Sequence, residues 1–301
     1  MLVGKIFPLY LLIGLGYLAG KHTGLSRSKV ASLLIYVLVP LVVFRGVATT
    51  DLSPAIISLP ALFYVLCCLI ALTAHRISRR WWPNNTRNIF SFMAGDGNTG
   101  YFGIPVTVAL FGEQYLGVAV LSALGFMLFE NTLGFYLVAR GNFTVKESLK
   151  RIATLPTFYA FLLGVFANYT GFTIQSGLEA ATDVGRFGYT VLGMMIIGLA
   201  VAGGTIKALD GRLIAASFVA KFLGWPIIVG LLIVADTSWF HIYDTDVHKV
   251  MVLMSIVPIA ANTVALASLL RVQPEKAAIT VVLSTLFALI YIPLVIGLLK
   301  Y

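Results

Sequence analysis

"AGDGNTGYFGIP", residues 94–105, decides how this chain is read. It lies inside an apolar run at 88–111 that is long enough to cross a bilayer as one helix. Yet it holds four glycines, an acid, an amide and a proline. Gly95, Gly97, Gly100 and Gly103 each lower helix propensity by about 1 kcal/mol relative to alanine. Pro105 lacks the N–H that would bond the carbonyl four residues back, at Tyr101. At ~1.5 Å per residue, Asn98 lies about 15 Å into the run, the middle of a ~30 Å hydrocarbon core. Polar backbone at that depth is tolerated only where it is buried in protein or faces a wet cavity. The stretch predicts a helix opened at mid-membrane, whose second half presents free N–H groups suited to an anion. Close helix packing would explain the glycines alone; Asp96, Asn98 and Thr99 beside them favour a site.

The rest of the chain is composed for lipid. Of 301 residues, 59% are hydrophobic and 11% charged, and the mean hydropathy is +0.95. Soluble domains carry about 25% charged residues. The net charge of +9 does not point to nucleic acid, because the basic residues fall between apolar runs rather than along one surface. Cys67 and Cys68 are adjacent within an apolar run, and no Cys/His cluster suggests a metal site.

Ten apolar runs fall at about 6–20, 30–48, 55–74, 88–111, 116–139, 154–170, 187–206, 213–235, 249–270 and 277–299, each near the roughly 20 residues a span needs. This predicts an all-α membrane protein of ten transmembrane helices. The odd-numbered loops hold fifteen Lys and Arg and the other side four (Lys5, Arg186, Lys249, Lys300). Arg45 and Lys221 lie inside runs. Cytoplasmic loops are enriched in Lys and Arg, so both ends are expected outside the inner (plasma) membrane of a cell. The run after Lys5 has no good cleavage site and is read as the first span, not a signal peptide.

The runs repeat. Pro8 to Gly16 in the first and Pro156 to Gly164 in the sixth share one spacing; Ala19 and Ala167, then Thr23-Gly24 and Thr170-Gly171, follow. Asn98-Thr99 with Pro105 in the fourth run parallels Asn262-Thr263 with Pro258 in the ninth. The unit is five helices, 1–153 and 154–301, and an odd number of crossings inverts the second copy. Inverted repeats with paired broken helices mark secondary transporters with midplane sites. The expected site is a chamber of Asn98, Thr99, Gly100, Asn262 and Thr263, with Gly97, Gly103, Pro105 and Pro258 opening the helices.

At these motifs the chain resembles the auxin efflux carrier family. "NTGYFGIP" at 98–105 is similar to its broken-helix motif, "VPIAANTVALAS" at 257–268 to its ninth helix and "VVLSTLFALIYIPLVIGLL" at 281–299 to its last. The short connection between the halves resembles prokaryotic members. The resemblance implies the fold shared with bile-acid symporters and sodium/proton antiporters, in which helices 4 and 9 cross where they unwind. Helices 1, 2, 6 and 7 would form a scaffold, and 3–5 and 8–10 a mobile core. It also implies a small organic anion as substrate, such as an auxin-like carboxylate or a dicarboxylate. Asp96 departs from the family pattern and leaves the coupling ion, H⁺ or Na⁺, open.

Charge inside a span costs about 2.5–3.5 kcal/mol on insertion scales. Asp96 has two readings, a proton carrier or a structural acceptor for freed backbone. Glu130 is read as a proton site or as the ion-pair partner of Lys221. Arg45 is expected to snorkel to the interface or to help attract an anion, and His22, His75, His241 and His248 to be solvated. No nucleophile–base pair stands at readable spacing, so no catalytic residue is named and no cofactor or metal is expected. Beside a secondary transporter working by alternating access, an intramembrane enzyme and a passive anion channel are weighed. The duplicated broken spans favour transport, and no span shows a pore-lining polar stripe. Expected partners are the anion and the bilayer, with a homodimer through the scaffold helices compatible but argued by no residue. The charge count makes a first prediction: single cysteines in the 140–153 loop stay unlabelled by an impermeant reagent added to intact cells, and outside labelling would overturn the orientation.

Overall fold

The computed structural model describes residues 2–139, 153–172, 176–202 and 209–299. Arg140, Lys146, Lys150 and Arg151 of the connection between the halves, and Lys207 and Lys300, lie outside them. Among the described residues the chain is helical and contains no strand. The order is α1 Leu2–His22, α2 Arg27–Ala48, α3 Pro54–Ser78, α4 Thr86–Gly95, α5 Ile104–Phe111 and α6 Glu113–Val138. Then come α7 Pro156–Tyr169, α8 Ser176–Ala202, α9 Gly211–Phe240, α10 Thr245–Ile256, α11 Asn262–Leu269 and α12 Pro274–Leu298. Six stretches, in α2, α3, α6, α8, α9 and α12, are long and apolar enough to cross a membrane. The seventh apolar run extends further than composition suggested, because its helix begins at Ser176 through a polar turn.

Local chemistry sets the helix ends. The Ser26 and Ser53 hydroxyls accept from the N–H groups of Lys29 and Ile56, and the Asp210 and Asp244 carboxylates from those of Leu213 and Val247, which satisfies orphan first-turn donors. Asp210 also accepts from Lys276 Nζ at 2.9 Å, joining the starts of α9 and α12. Partial burial alone would raise the Asp210 carboxyl, but the Lys276 and backbone hydrogen bonds and the Lys276 charge outweigh it and hold it below the usual range. Helices α1 and α7 end alike. Thr23 and Thr170 bond back to the carbonyls of Ala19 and Phe166, and Gly24 and Gly171 follow at φ 64° and 67°, the left-handed cap that glycine adopts without strain.

Packing exploits missing Cβ atoms. Gly16 of α1 and Gly198 of α8 bring two backbones into direct contact; a Cβ on Gly198 would strike Ile13 O of α1. Gly164 of α7 likewise lies on Val47 and the Phe44 carbonyl of α2. Asn168 closes that pair by donating to the carbonyls of Ala48 and Thr50 at the end of α2, at 3.1 and 2.7 Å. Large apolar side chains such as Phe166, Leu231 and Ile290 stand exposed on the outside, where lipid rather than water meets them.

Gly198→Ala should therefore destabilise the detergent-solubilised protein by about 1–3 kcal/mol, the usual cost of overpacking, read as a lower Tm. Gly230→Ala, in α9 with open space around it, should leave Tm unchanged or raise it. Equal effects at the two positions would refute the close approach of α1 and α8.

Candidate functional site

The opening stretch is broken, three residues earlier than the proline alone would place it. Helix α4 stops at Gly95; Asp96 is extended (φ −114°, ψ 165°) and Asn98 is non-helical (φ −74°, ψ 56°). A π-helical turn, Thr99–Gly103, leads without interruption into α5, whose second residue is Pro105. Gly95 is required by close approach, since a Cβ there would lie 2.7 Å from both Ala71 Cβ and Cys67 O of α3. The second break runs from Val257, extended at φ −62° and ψ 154°, to Ala261, with Pro258 inside it.

The two breaks satisfy each other. The Asn98 N–H donates to the Pro258 carbonyl at 2.8 Å, and the Ile259 N–H to Ser284 Oγ of α12 at 3.2 Å. Sequence reasoning paired these segments through Asn98 and Asn262; the bond actually joins main chain at Asn98 and Pro258.

Around this crossing lies a cluster of buried polar groups. Asp96 Oδ1 accepts from the Gly97 N–H at 2.7 Å, and the Glu130 carboxyl of α6 confronts the Asp96 carboxyl. Glu130 Oε2 accepts from Asn262 Nδ2 at 3.0 Å. Lys221 of α9 is fully buried, with Nζ 4.7 Å from the Trp225 ring centroid and 5.6 Å from that of Phe126. Its Nζ lies against Gly97, where any Cβ would collide with it. Trp225 Nε1 in turn donates to the Ala94 carbonyl at 2.8 Å, fixing the end of α4. Asp96 Oδ2, Asn98 Nδ2, Lys221 Nζ and Thr263 Oγ1 are buried without a hydrogen-bond partner. Such groups cost about 1–3 kcal/mol each, more when charged, and their concentration at one point asks for a functional explanation.

A cavity of about 300 Å³ opens on this cluster. Of the sequence-derived site residues, Gly97, Asn98, Thr99, Gly100, Glu130 and Asn262 line it. Asp96 and Lys221 are fully buried and outside its lining, and Thr263 is fully buried too. A Cβ on Gly103 would lie 3.0 Å from Met254 Sδ, while Pro105 and Pro258 shape backbone rather than wall. The opposite wall comes from Ile35, Val39 and Val43 of α2, Thr157 of α7 and Tyr189 of α8. Arg27, at the start of α2, donates to the Ala261 carbonyl at 3.3 Å.

Two expectations are corrected and a third is extended. Glu130 does not pair with Lys221; its partner is the Asn262 amide, while Lys221 faces aromatic rings and the Asp96 side of the cluster. Arg45 has partners that the expectation of snorkelling did not name. It pairs with Asp183 at 2.8 Å and Thr182 Oγ1 at 2.9 Å, because the polar first turns of α8 reach its level. His248 is buried rather than solvated, its Nε2 2.9 Å from Asp236 Oδ2, and Asp236 also accepts from the N–H groups of Ile242 and Tyr243. Trp225 escaped notice although it stands four residues after Lys221, on the same helix face. Tyr189 carried no local signal at all.

Similarity to known proteins agrees with this geometry. Residues 1–142 match the family described as "Membrane transport protein". The chain is 24% identical over 298 residues to an uncharacterized transporter of Methanocaldococcus jannaschii, covering 94% of each. It is 25% identical over 300 residues to another of Methanothermobacter thermautotrophicus, covering 96% of this chain and 95% of that one. It is also 25% identical over 306 residues to a Rhizobium meliloti protein named "Putative malonate transporter", covering 95% and 92%. The class is thus that of a membrane transporter. Residues 1–142, which hold the motif at 98–105, are similar to the membrane transport protein family, that of the auxin efflux carriers.

Asp96 and Lys221 should behave as an energetically coupled pair. Asp96→Asn and Lys221→Met should each lower Tm, since each leaves the other charge buried and uncompensated. The double variant should lose less than the sum, with a coupling of about 1–3 kcal/mol. Strictly additive losses would show that the two charges do not interact.

Proposed function

We propose that the protein is a secondary transporter that carries a small organic anion, held at the crossing of the two broken helices, by alternating access. The observation that carries this reading is the Asn98–Pro258 backbone bond at the wall of a cavity shared with α2, α7 and α8. The helical segments beginning at Thr99 and Asn262 both start at this crossing, so both positive dipole ends lie there. Asn98 Nδ2 adds an unused donor. An amide binds a carboxylate without a fixed charge that would hold it too tightly for release. The malonate assignment in one relative's name agrees with this substrate class.

Ten spans in two inverted five-helix repeats account for the packing. The α1–α8 contact at Gly16 and the α7–α2 contact at Gly164 exchange under that symmetry, as do the Thr-Gly caps. The cavity reaches Phe135, Leu155 and Leu269, near the basic loops. At the opposite face Arg186 of α8 pairs with Glu113 of α6, and Lys5 of α1 donates to the Leu110 carbonyl at the end of α5 at 3.0 Å. These contacts tie scaffold to core outside, while on the inner side Arg27 bonds the Ala261 carbonyl beside the cavity mouth, an arrangement that suits an inward-facing carrier. Opening to the outside would break them.

Coupling follows from charge. Asp96 and Glu130 are two adjacent carboxyls served by one lysine, so an arriving anion is favoured when a proton accompanies it. Protonation of Glu130 also weakens its hold on Asn262 Nδ2 and frees that amide for the substrate carboxylate. Sodium at the same carboxyls is the second reading, favoured by Asp96 Oδ2, which has no donor.

In proteoliposomes, internal malonate should accelerate malonate uptake, a trans effect that an enzyme or a channel lacks. Asn98→Ala should weaken binding by roughly ten- to hundred-fold, the loss of one hydrogen bond to a charged group. Glu130→Gln should keep exchange but lose its dependence on a pH gradient. If Asn98→Ala binds as the parent does, the anion does not sit at the crossing. A sodium gradient driving uptake where a pH gradient fails would select the second coupling.

A further inference from the structure

A second and larger concavity lies on the other side of α4. It is a groove of about 1030 Å³ between α3 and α9, floored by Phe90 and Ala94 of α4. Its sides are apolar, with Leu66, Ile70 and Ile77 from α3 facing Ala216, Ala220 and Ile228 from α9. It opens sideways onto the outer surface, where Leu69 and Val219 on its rims are each 57% exposed. At one end only, two guanidiniums close it, Arg80 and Arg212, with Trp81 beside them. No carboxylate pairs with either arginine among the described residues. Arg76, Arg79 and Arg87 add to the positive field, and residues 75–95 contain no acid.

The dimensions and charges together select an occupant. From Leu66 to the end of α3 at Ser78 is twelve residues of helix, about 18 Å, and Arg80 lies just beyond. One leaflet of the hydrocarbon core is about 15 Å deep, so the groove matches an acyl chain plus the depth of a headgroup. A tryptophan at the charged end suits the membrane–water boundary. Basic pockets between transmembrane helices bind anionic headgroups. A water-soluble anion would gain nothing from the apolar length, and a zwitterionic lipid would leave two arginines without a net negative partner.

We propose that this groove is a binding site for one anionic phospholipid, its phosphate between Arg80 and Arg212 and one acyl chain along α4. The lipid would press on the outer side of the segment whose inner end breaks at Gly95. It therefore buttresses α4 from behind while the transport cavity opens in front. The site rests on embedding in a bilayer and not on which anion is carried.

The test uses the full chain, delipidated in maltoside detergent. Palmitoyl-oleoyl phosphatidylglycerol should raise Tm by several degrees, and native mass spectrometry should retain one such lipid. Phosphatidylcholine with the same chains should do neither, nor should glycerol 3-phosphate alone. In R80Q/R212Q the retained phosphatidylglycerol should fall roughly ten- to thirty-fold, at the energy an arginine contributes near an anionic surface. A216W, which fills the groove and keeps both charges, should lose the lipid as well. Equal retention of phosphatidylcholine and phosphatidylglycerol by the parent would overturn the proposal without any variant having to fold. So would an equal Tm shift from glycerol 3-phosphate, or undiminished phosphatidylglycerol in either variant.

Discussion

The structure turns on one constraint, that a backbone unwound at mid-membrane has no water to bond with. Two segments meet it together. The Asn98 N–H finds the Pro258 carbonyl, the Ile259 N–H finds Ser284, and Asp96 Oδ1 takes the Gly97 N–H. Neither break is self-sufficient, so the presence of one requires the other at the same depth. That mutual dependence explains why a chain so rich in good helix formers keeps two poor ones, and why their positions correspond in the two halves of the sequence.

The same unwinding creates the electrostatic problem that the surrounding side chains address. Asp96, Glu130 and Lys221 share one dry region, and their arrangement is graded. Glu130 reaches the cavity and binds an amide; Asp96 and Lys221 are sealed behind it. Lys221 has the faces of Trp225 and Phe126 in place of hydrogen-bond acceptors, a cation–π environment worth about 2 kcal/mol or more when desolvated. That is less than the cost of burying an ammonium group, so the opposing carboxyls are needed to hold its charge. The group that faces the cavity, Glu130, thus lies beside Asp96, which with Lys221 is sealed away from it.

Much of this was legible in the sequence. The break at Asp96–Asn98, the second break around Pro258 and the meeting of Asn98 and Asn262 at one cavity follow from glycine, proline and polar residues at membrane depth, where composition is a strong signal. What failed were partner choices between helices distant in the chain. Glu130 and Lys221 are opposite charges in neighbouring spans, and a pairing by sign alone ignores that Asn262 stands nearer. Arg45 was assigned to the interface because nothing local announced that α8 begins at Ser176 and carries Asp183 to its level. His248 looked solvated because a loop precedes it, yet that loop folds back over Asp236 and buries both. Period and propensity see one helix at a time; these pairings are set by the rotation and length of the helix opposite.

The fixed and movable parts can be separated by the contacts of α4. Its end is bound to α9 through Trp225 and the Ala94 carbonyl, and lies against α3 where Gly95 meets Ala71 and Cys67. These are dry, backbone-level contacts with no slack. The face of the crossing toward α2, α7 and α8 is different. There the cavity intervenes, and long side chains reach across beside it: Arg27 to the Ala261 carbonyl, Lys5 to the Leu110 carbonyl and Arg186 to Glu113. Each is a single long side chain reaching from α1, α2 or α8, able to change acceptor without repacking a core. Charged links of this kind are cheap to exchange, whereas the close-packed glycine contacts are not. Both kinds of contact cross this boundary, since Gly46 of α2 meets Gly117 and Val120 of α6, so the exchangeable links and the polar cluster at the crossing share it with a close-packed glycine contact.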